Sequence, residues 1–183
     1  MDLRLTTLEG CGLAIGGYPR FTYDARGGGG TGRLGASGDG SRPLDFPPAA
    51  LSIPPLTWRS TRILGLPLPP GLAITIEPLR LGGCFEPRSG ALQLRFQARF
   101  HCRALGFYQP PPLSIDTELT TAAVQSRRHR CQGQRLDRDG LGVLVGVARV
   151  PASGDPWLDR FLGLPDEALA VLRCRLSGAL SSG

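Results

Sequence analysis

The chain has 183 residues, of which 41% are hydrophobic, and its formal net charge is +6. This length fits one domain, and the apolar content is enough for a core that needs no disulfide or metal. Apolar stretches are interrupted well before the roughly 18–20 residues that cross a bilayer, so we expect no transmembrane segment. Residues 1–5 lack the apolar region of a secretory signal, which predicts a soluble, cytoplasmic protein.

All 21 basic residues are Arg, and both Lys and Asn are absent, which is the bias of a GC-rich genome. The positive charge favours anionic partners. A nucleic-acid surface, however, ordinarily combines a dense basic cluster with aromatic side chains. The dense cluster at residues 127–130 has no aromatic residue near it in the sequence. We interpret this cluster as the solvated face of a hairpin, and nucleic acid is disfavoured as a partner.

The cysteines are scattered, and no two of them have the C-x-x-C spacing of a zinc site. Their odd number and irregular spacing are typical of a reducing compartment, where Cys packs as a small hydrophobic residue. With only two His residues in the chain, we expect neither a metal site nor a cofactor. The five positions are Cys11, Cys84, Cys102, Cys131 and Cys174.

Residues 1–70 form a Gly/Pro-rich region with candidate strands at 2–7, 20–25, 44–46, 51–53 and 56–64. Residues 27–32 match the spacing G-x-G-x-x-G, which cradles phosphate where a helix begins. The residues that follow are poor helix formers, and the Lys-Ser/Thr of a P-loop is missing. We therefore expect residues 26–40 to form a flexible loop. Whether residues 1–70 complete the main sheet is left open by the pattern.

Residues 71–150 predict an antiparallel meander of about five strands. Residues 91–103 alternate strictly between apolar and polar side chains, which is the period of a strand with one buried face. The strand before it changes parity at Pro78, which indicates a bulge or an edge. Residues 86–90 then form the hairpin turn.

A strand at residues 113–120 follows, and its buried face must meet that of residues 91–103. The two nearest registers place Arg99 opposite Asp116 or Glu118, which predicts cross-strand ion pairs on the wet face. A further strand near 130–136 turns at 137–140 into residues 142–150. That last segment is apolar on both faces, which is typical of a central or covered strand.

Residues 151–180 predict a helical C-terminus. Asp155 is a suitable N-cap, with Pro156 at the first helical position. A second helix is predicted after Pro165, because apolar residues recur there at helical spacing, with acidic residues before them and Arg and Gly178 after them. Its apolar members are Ala168, Leu169, Leu172 and Leu176.

No local motif identifies a catalytic group, and we predict none. Asp116 and Glu118 share a strand face, but ion pairing explains them better than acid–base chemistry. Asp137 and Asp139 match only part of a calcium loop, so we interpret them as turn residues. An enzyme would have to assemble its site from distant residues, and this is the least favoured interpretation. Such residues are Tyr23, Asp24, Asp116 and His101.

Three segments resemble a conserved β-rich family of cyanobacteria whose function is unassigned. They are residues 53–58 (Ile-Pro-Pro-Leu-Thr-Trp), residues 64–72 and residues 157–168, and the similarity spans most of the chain. The resemblance implies a bacterial cell with abundant internal membranes and pigments. It brings no catalytic residues to this sequence.

These features predict a single domain over residues 1–183 of mainly β (α+β) class. The architecture is a curved antiparallel meander sheet or partly closed barrel with a C-terminal helix packed on it. A curved sheet with a helix across it leaves an apolar pocket, which predicts a non-catalytic binding protein for an apolar small molecule or lipid. The alternative for each candidate residue is that it only fills the core. The candidate ligand-binding residues are Leu92, Leu94, Phe96, Phe100, Leu113, Ile115 and Leu119.

The alternative function is a protein-interaction or assembly factor without a ligand. Such a factor would expose Trp58, Trp157 or Phe161 within one apolar patch. Peripheral contact with a membrane is compatible with either interpretation.

Overall fold

The chain folds mainly into antiparallel strands joined by short turns. The computed structural model describes residues 1–36, 38 and 40–178. Among these residues one α-helix, α1 (Pro156–Leu162), is present, and a short 3-10 helix spans Pro48–Ala50. The strands, in chain order, are β1 (Asp2–Thr7), β2 (Cys11–Ile15), β3 (Phe21–Tyr23), β4 (Gly29–Leu34), β5 (Arg42–Phe46), β6 (Leu51–Ser52), β7 (Thr61–Ile63), β8 (Leu66–Pro67), β9 (Ala73–Glu86), β10 (Ala91–Arg103), β11 (Leu113–Thr120), β12 (Ala123–Gln125), β13 (Arg130–Gln132), β14 (Leu141–Val150) and β15 (Asp166–Ser177).

The β9–β10 hairpin forms the longest strand pair in the sheet, as the alternation along β10 predicts. Side chains of β10 alternate between the interior and the outside along the strand. The ladder shifts where Ala98 faces Pro78, so the predicted bulge at this proline is confirmed. The extra residue, Leu79, is exposed, while Ile76 and Leu81 both remain buried in spite of their opposite parity.

Strand β11 pairs with β10 through the predicted buried faces, but the predicted register is wrong. Arg99 lies opposite Ser114, and not opposite Asp116 or Glu118. Asp116 instead accepts two hydrogen bonds from the Arg95 guanidinium, at 3.1 and 2.8 Å. Cross-strand ion pairing is therefore confirmed, with a different arginine. Alternation decides which faces meet, whereas the connecting loop decides how far two strands slide along each other.

Eight strands close into a ring by antiparallel pairing. The path runs β1-β4-β5-β9-β10-β11-β14-β15, and β15 pairs back with β1. The predicted curved antiparallel sheet is confirmed, and β1, β4 and β5 show that residues 1–70 contribute to it. The thinnest seam lies between β11 and β14, where Thr120 and Val145 form one ladder pair. The Thr117 hydroxyl reinforces this seam by donating to the Val147 carbonyl oxygen at 3.0 Å.

The predicted second helix is wrong, because residues 166–177 form strand β15. From Leu172 onward the residues also alternate as they do in a strand. Cys174 and Leu176 are buried, whereas Arg173 and Arg175 are exposed. β14 is apolar on both faces, and an unpaired edge beside it would leave a row of backbone groups without partners. β15 satisfies that edge with ten ladder pairs, so tertiary pairing overrides the helical spacing.

The Gly-rich segment is also not the predicted flexible loop, because residues 29–34 form strand β4 between β1 and β5. Its glycines permit close packing. A Cβ on Gly29 would lie 2.0 Å from the Leu5 carbonyl oxygen, and one on Gly32 would lie 2.6 Å from the Phe46 ring. A strand follows this segment, so the helix N-terminus that a phosphate cradle requires is not formed there. Residues 37 and 39 of the predicted loop lie outside the described residues.

The other short predicted strands are confirmed in part. Predictions at 2–7, 44–46 and 51–53 correspond to β1, β5 and β6, whereas those at 20–25 and 56–64 shorten to β3 and β7. The strand predicted near 130–136 shortens to β13, which pairs with β12 in a separate two-stranded sheet. The arginines of the 127–130 cluster are exposed in that hairpin, as predicted.

One end of the ring carries helix α1, and we call it the helix end. Strands β9, β11 and β15 begin there, and β10 and β14 end there. The turns from β2 to β3 and from β7 to β8 also lie at this end. Ile15, the last residue of β2, pairs with Ala168 near the start of β15, and β3 and β7 continue the sheet outward from β2. The predicted cap of α1 is confirmed, since the Asp155 carboxylate accepts from the Leu158 amide at 2.8 Å.

The close packing of β4 predicts that Gly30→Ala destabilises the protein by about 1–3 kcal/mol, the usual cost of overpacking. The added Cβ would lie 2.5 Å from the Ala50 carbonyl oxygen. Urea unfolding measures this change. Gly17→Ala is the matched control, because its Cβ meets nothing within 4 Å, and it should change stability by less than about 0.5 kcal/mol. Equal stability of the two variants would contradict the packing of β4.

Candidate functional site

An apolar cavity of about 140 Å³ lies inside the strand ring. Inward side chains of the surrounding strands form its wall. Phe96, Ile115 and Leu172 point inward but are only half-buried, and all three line the cavity. The further lining residues include Leu5, Leu13, Tyr23, Ile53, Ile76, Leu81, Phe100, Leu119, Ala148, Ala168 and Ala170.

Four of the seven predicted ligand-binding residues line this cavity. They are Phe96, Phe100, Ile115 and Leu119. The other three lie elsewhere in the core. Leu92 and Leu94 are fully buried in the large cluster with Phe85 and Leu144, and Leu113 packs with Val150 and Leu158 beneath helix α1.

Much of the wall could not be predicted from the sequence, because it comes from segments whose local pattern indicates a different structure. Ala168, Ala170 and Leu172 lie in β15, which was predicted as a helix, and Leu13 lies in β2, which was not predicted. The alternation from Leu172 to Leu176 is the signal that could have indicated a strand. No such signal marks β2, since its five residues include a Gly and two small side chains.

Three hydroxyl groups of the wall are bonded to the protein itself, whereas a fourth lining residue, Ser52, is exposed. Tyr23 donates its hydroxyl proton to the Pro54 carbonyl oxygen, and Thr117 and Thr7 donate to the carbonyl oxygens of Val147 and Ala25. Burial raises the pKa of the Tyr23 hydroxyl above its usual range, so this group stays neutral. The cavity therefore suits a molecule that makes no hydrogen bonds.

Helix α1 covers the cavity at the helix end. Its Leu158 is buried against Leu113 and Val150. Phe100 and Ile115 pack on this cluster and also line the cavity, so they lie between the helix and the cavity. The Tyr108 hydroxyl donates to Asp155 at 3.0 Å and ties the start of the helix to the β10–β11 connection.

The residues considered for catalysis have separate partners. Asp24 is held by Arg26, Asp116 by Arg95 and Gln97, and His101 lies 2.8 Å from Glu77. Hydrogen bonds from Arg95 and then Gln97 lower the pKa of Asp116 to about 2, so it remains a carboxylate. This confirms ion pairing as the interpretation of Asp116, and the structure does not bring these residues into one site.

The remaining motifs have structural roles. The Asp137 carboxylate accepts from the amides of Asp139 and Leu141, both at 2.9 Å, which is the bonding of a tight turn. His129 is half-buried, and its Nε2 atom is enclosed without a hydrogen-bond partner among the described residues. Within the described part of the chain, no three His, Cys, Asp or Glu side chains are grouped so that they could hold a metal ion.

Comparisons of the chain with family models, with curated proteins and with solved structures find no match. The resemblance to a cyanobacterial family therefore stays a prediction. No helix among the described residues is long and apolar enough to cross a membrane.

The burial of individual cysteines predicts which thiols react. Iodoacetamide at pH 8 should label the exposed Cys84 and leave Cys11 and Cys174 unmodified in the folded protein. Burial raises the pKa of Cys11, which lines the cavity, and raises that of Cys174 to about 12, so both lack the reactive thiolate. Peptide mapping by mass spectrometry gives the extent of labelling. Labelling in urea is the control, and comparable rates for Cys11 and Cys84 without urea would contradict the burial of Cys11.

Proposed function

We propose that this protein binds a small apolar molecule, or the end of a lipid hydrocarbon chain, inside the strand ring. The observation that carries the proposal is the apolar cavity of about 140 Å³. Packed protein interiors leave few spaces larger than a water molecule. A cavity of this size among Leu, Ile and Phe side chains is favourable for a hydrocarbon, because burial of apolar surface drives its transfer from water.

The size of the cavity limits the ligand. Pockets for drug-sized molecules begin at about 300 Å³, whereas an apolar cavity of about 150 Å³ accepts benzene or xenon. A ligand of benzene size fits the cavity in its present form. A longer hydrocarbon chain exceeds this volume and would have to extend beyond the cavity.

The chemistry of the wall supports an apolar ligand over a polar one. The hydroxyls of Thr7, Tyr23 and Thr117 are already bonded to backbone carbonyls. A polar ligand would therefore lose its hydrogen bonds to water and find no partner in these three hydroxyls, which costs about 1–3 kcal/mol for each group left unbonded.

Benzene is the probe that tests this proposal. Titration of the isotope-labelled protein with benzene should shift the methyl resonances of Ile115, Leu119 and Leu172, which line the cavity, and leave those of Leu79 unchanged. Extraction of the purified protein with organic solvent, followed by mass spectrometry, then distinguishes a small hydrocarbon from a fatty acid as the natural ligand. Absence of saturable shifts at the cavity methyls would overturn the proposal.

Ala170→Leu should fill part of the cavity and weaken benzene binding at least about tenfold. The same variant should retain or raise the midpoint of thermal unfolding, because filling a cavity adds contacts without removing any. Ala123→Leu, at an exposed strand position outside the cavity, is the matched control and should bind benzene as the natural chain does. A destabilised Ala170→Leu protein would indicate that this region is already fully packed.

A further inference from the structure

The helix end exposes most of the large hydrophobic side chains that reach the surface of the described chain. They come from four connections that share this end (β2–β3, β7–β8, β10–β11 and β14–β15) and from the first residue of β8. Phe107 is 80% exposed and Trp157 is 61% exposed. The full set is Tyr18, Leu64, Leu66, Leu105, Phe107, Trp157 and Phe161. A soluble surface rarely gathers so many apolar side chains unless something binds there.

Four aromatic rings form a continuous row across the helix end. Tyr108 meets Trp157 edge-on at 5.3 Å between ring centroids, Trp157 stacks on Phe161 at 5.2 Å, and Phe161 lies 5.8 Å from Tyr18. The contacts hold these side chains in place before any partner binds. A partner therefore meets an ordered surface and loses little of its binding free energy to fixing flexible side chains.

Two leucines at this end adopt a backbone conformation that is unfavourable for them. Leu64 and Leu105 have φ of 51° and 56°, and they are the non-glycine residues with positive φ in the described chain. Each precedes a glycine with positive φ, a pattern that favours Asn or Asp at the first position. Leucine there costs about 1–2 kcal/mol in backbone energy. Both side chains are nevertheless exposed, at 79% and 75%, so folding does not explain their presence.

The charges at the helix end favour an anionic partner. The carboxylates of Asp155, Asp159 and Asp166 are occupied by hydrogen bonds within the protein. Arg103 and Arg160, in contrast, are exposed and form no ion pair with a described carboxylate.

Two further arginines extend this positive surface. Tyr18 lines a surface groove together with Arg20 and Arg127, and these two arginines also form no ion pair with a described carboxylate. The row of aromatic rings therefore reaches the basic cluster, although no aromatic residue lies near that cluster in the sequence.

We propose that the helix end docks on the surface of an anionic lipid bilayer. Trp and Tyr prefer the membrane–water interface, exposed Leu and Phe gain free energy by entering the acyl region, and arginines are attracted to acidic headgroups. All three kinds of side chain occur together at this end. The proposal does not depend on the cavity, since the docking side chains are exposed and are not among the residues that line it.

The two tryptophans of the chain provide a direct test with an internal control. In Trp58→Phe the only indole is Trp157 in the aromatic row, and in Trp157→Phe it is Trp58, which is 46% exposed in the β6–β7 connection, where it lies against Arg59. Vesicles of phosphatidylcholine with phosphatidylglycerol should shift the emission of Trp157 to shorter wavelength and leave that of Trp58 unchanged. Pure phosphatidylcholine vesicles should give a weaker response. No shift for Trp157, or an equal shift for both, would overturn the proposal.

The strained leucines allow docking to be separated from folding. The double variant Leu64→Asn/Leu105→Asn should unfold at the same or a higher temperature, because Asn tolerates positive φ, yet bind the anionic vesicles about tenfold more weakly. Leu79→Asn, an exposed leucine outside the helix end, is the matched control. Unchanged vesicle binding by the double variant would contradict the assigned docking surface.

A pair of charge variants tests the lipid preference. Arg103→Gln/Arg160→Gln should weaken binding to anionic vesicles about fivefold for each arginine. Arg135→Gln/Arg138→Gln, which removes two arginines near the opposite end of the ring, should bind nearly as the natural chain does.

Two results would replace the membrane with another partner: a dimer in sedimentation equilibrium that Phe107→Ser dissociates, or binding of a single-stranded oligonucleotide that Trp157→Phe abolishes, either one without vesicle binding.

Discussion

Strand β15 pairs along both of its edges, and this double pairing determines the rest of the architecture. It forms ten ladder pairs with β14 on one side, and β1 and β2 divide its other edge between them. The first and last strands of the fold are therefore neighbours, and the sheet closes without leaving an unpaired edge at that seam. Without β15 the strands would form an open sheet, whose interior side chains would face water.

Closure of the ring also explains the apolar cavity. The inward face of β15 carries Ala168 and Ala170 in the half of the strand nearer the helix end, and β14 contributes Gly146 and Ala148 beside them. Such small side chains do not reach Phe96 and the other large residues on the far side. Towards the end opposite α1, larger residues take over and the core is filled by Leu and Phe side chains. The distribution of side-chain size along the strands thus decides where the ring is packed and where it remains open.

Strands that alternate strictly could be predicted from the sequence, whereas elements fixed by distant partners could not. β10 and β11, the bulge at Pro78 and the cap at Asp155 follow from local patterns, and all are confirmed. β15 and the Gly-rich β4 depend on pairing with remote strands, and their local patterns predict a helix and a loop instead. For the cavity, the alternation along β10 and β11 predicts which of their residues point inward. It does not predict where along the strands the interior is filled and where it remains open. Trp157 and Phe161 could be chosen from the sequence as candidates for an exposed patch, but the rest of the helix end could not, because its residues are separated in the sequence and meet only through the topology.

The most direct measurement of the central claim is a crystal structure determined under xenon pressure. A ring closed by β15 around an apolar cavity predicts xenon between Phe96, Ile115 and Leu172, with β15 extended and paired on both edges. Xenon absent from that position with large side chains packed across the ring would contradict the account, and so would a helix at residues 166–177.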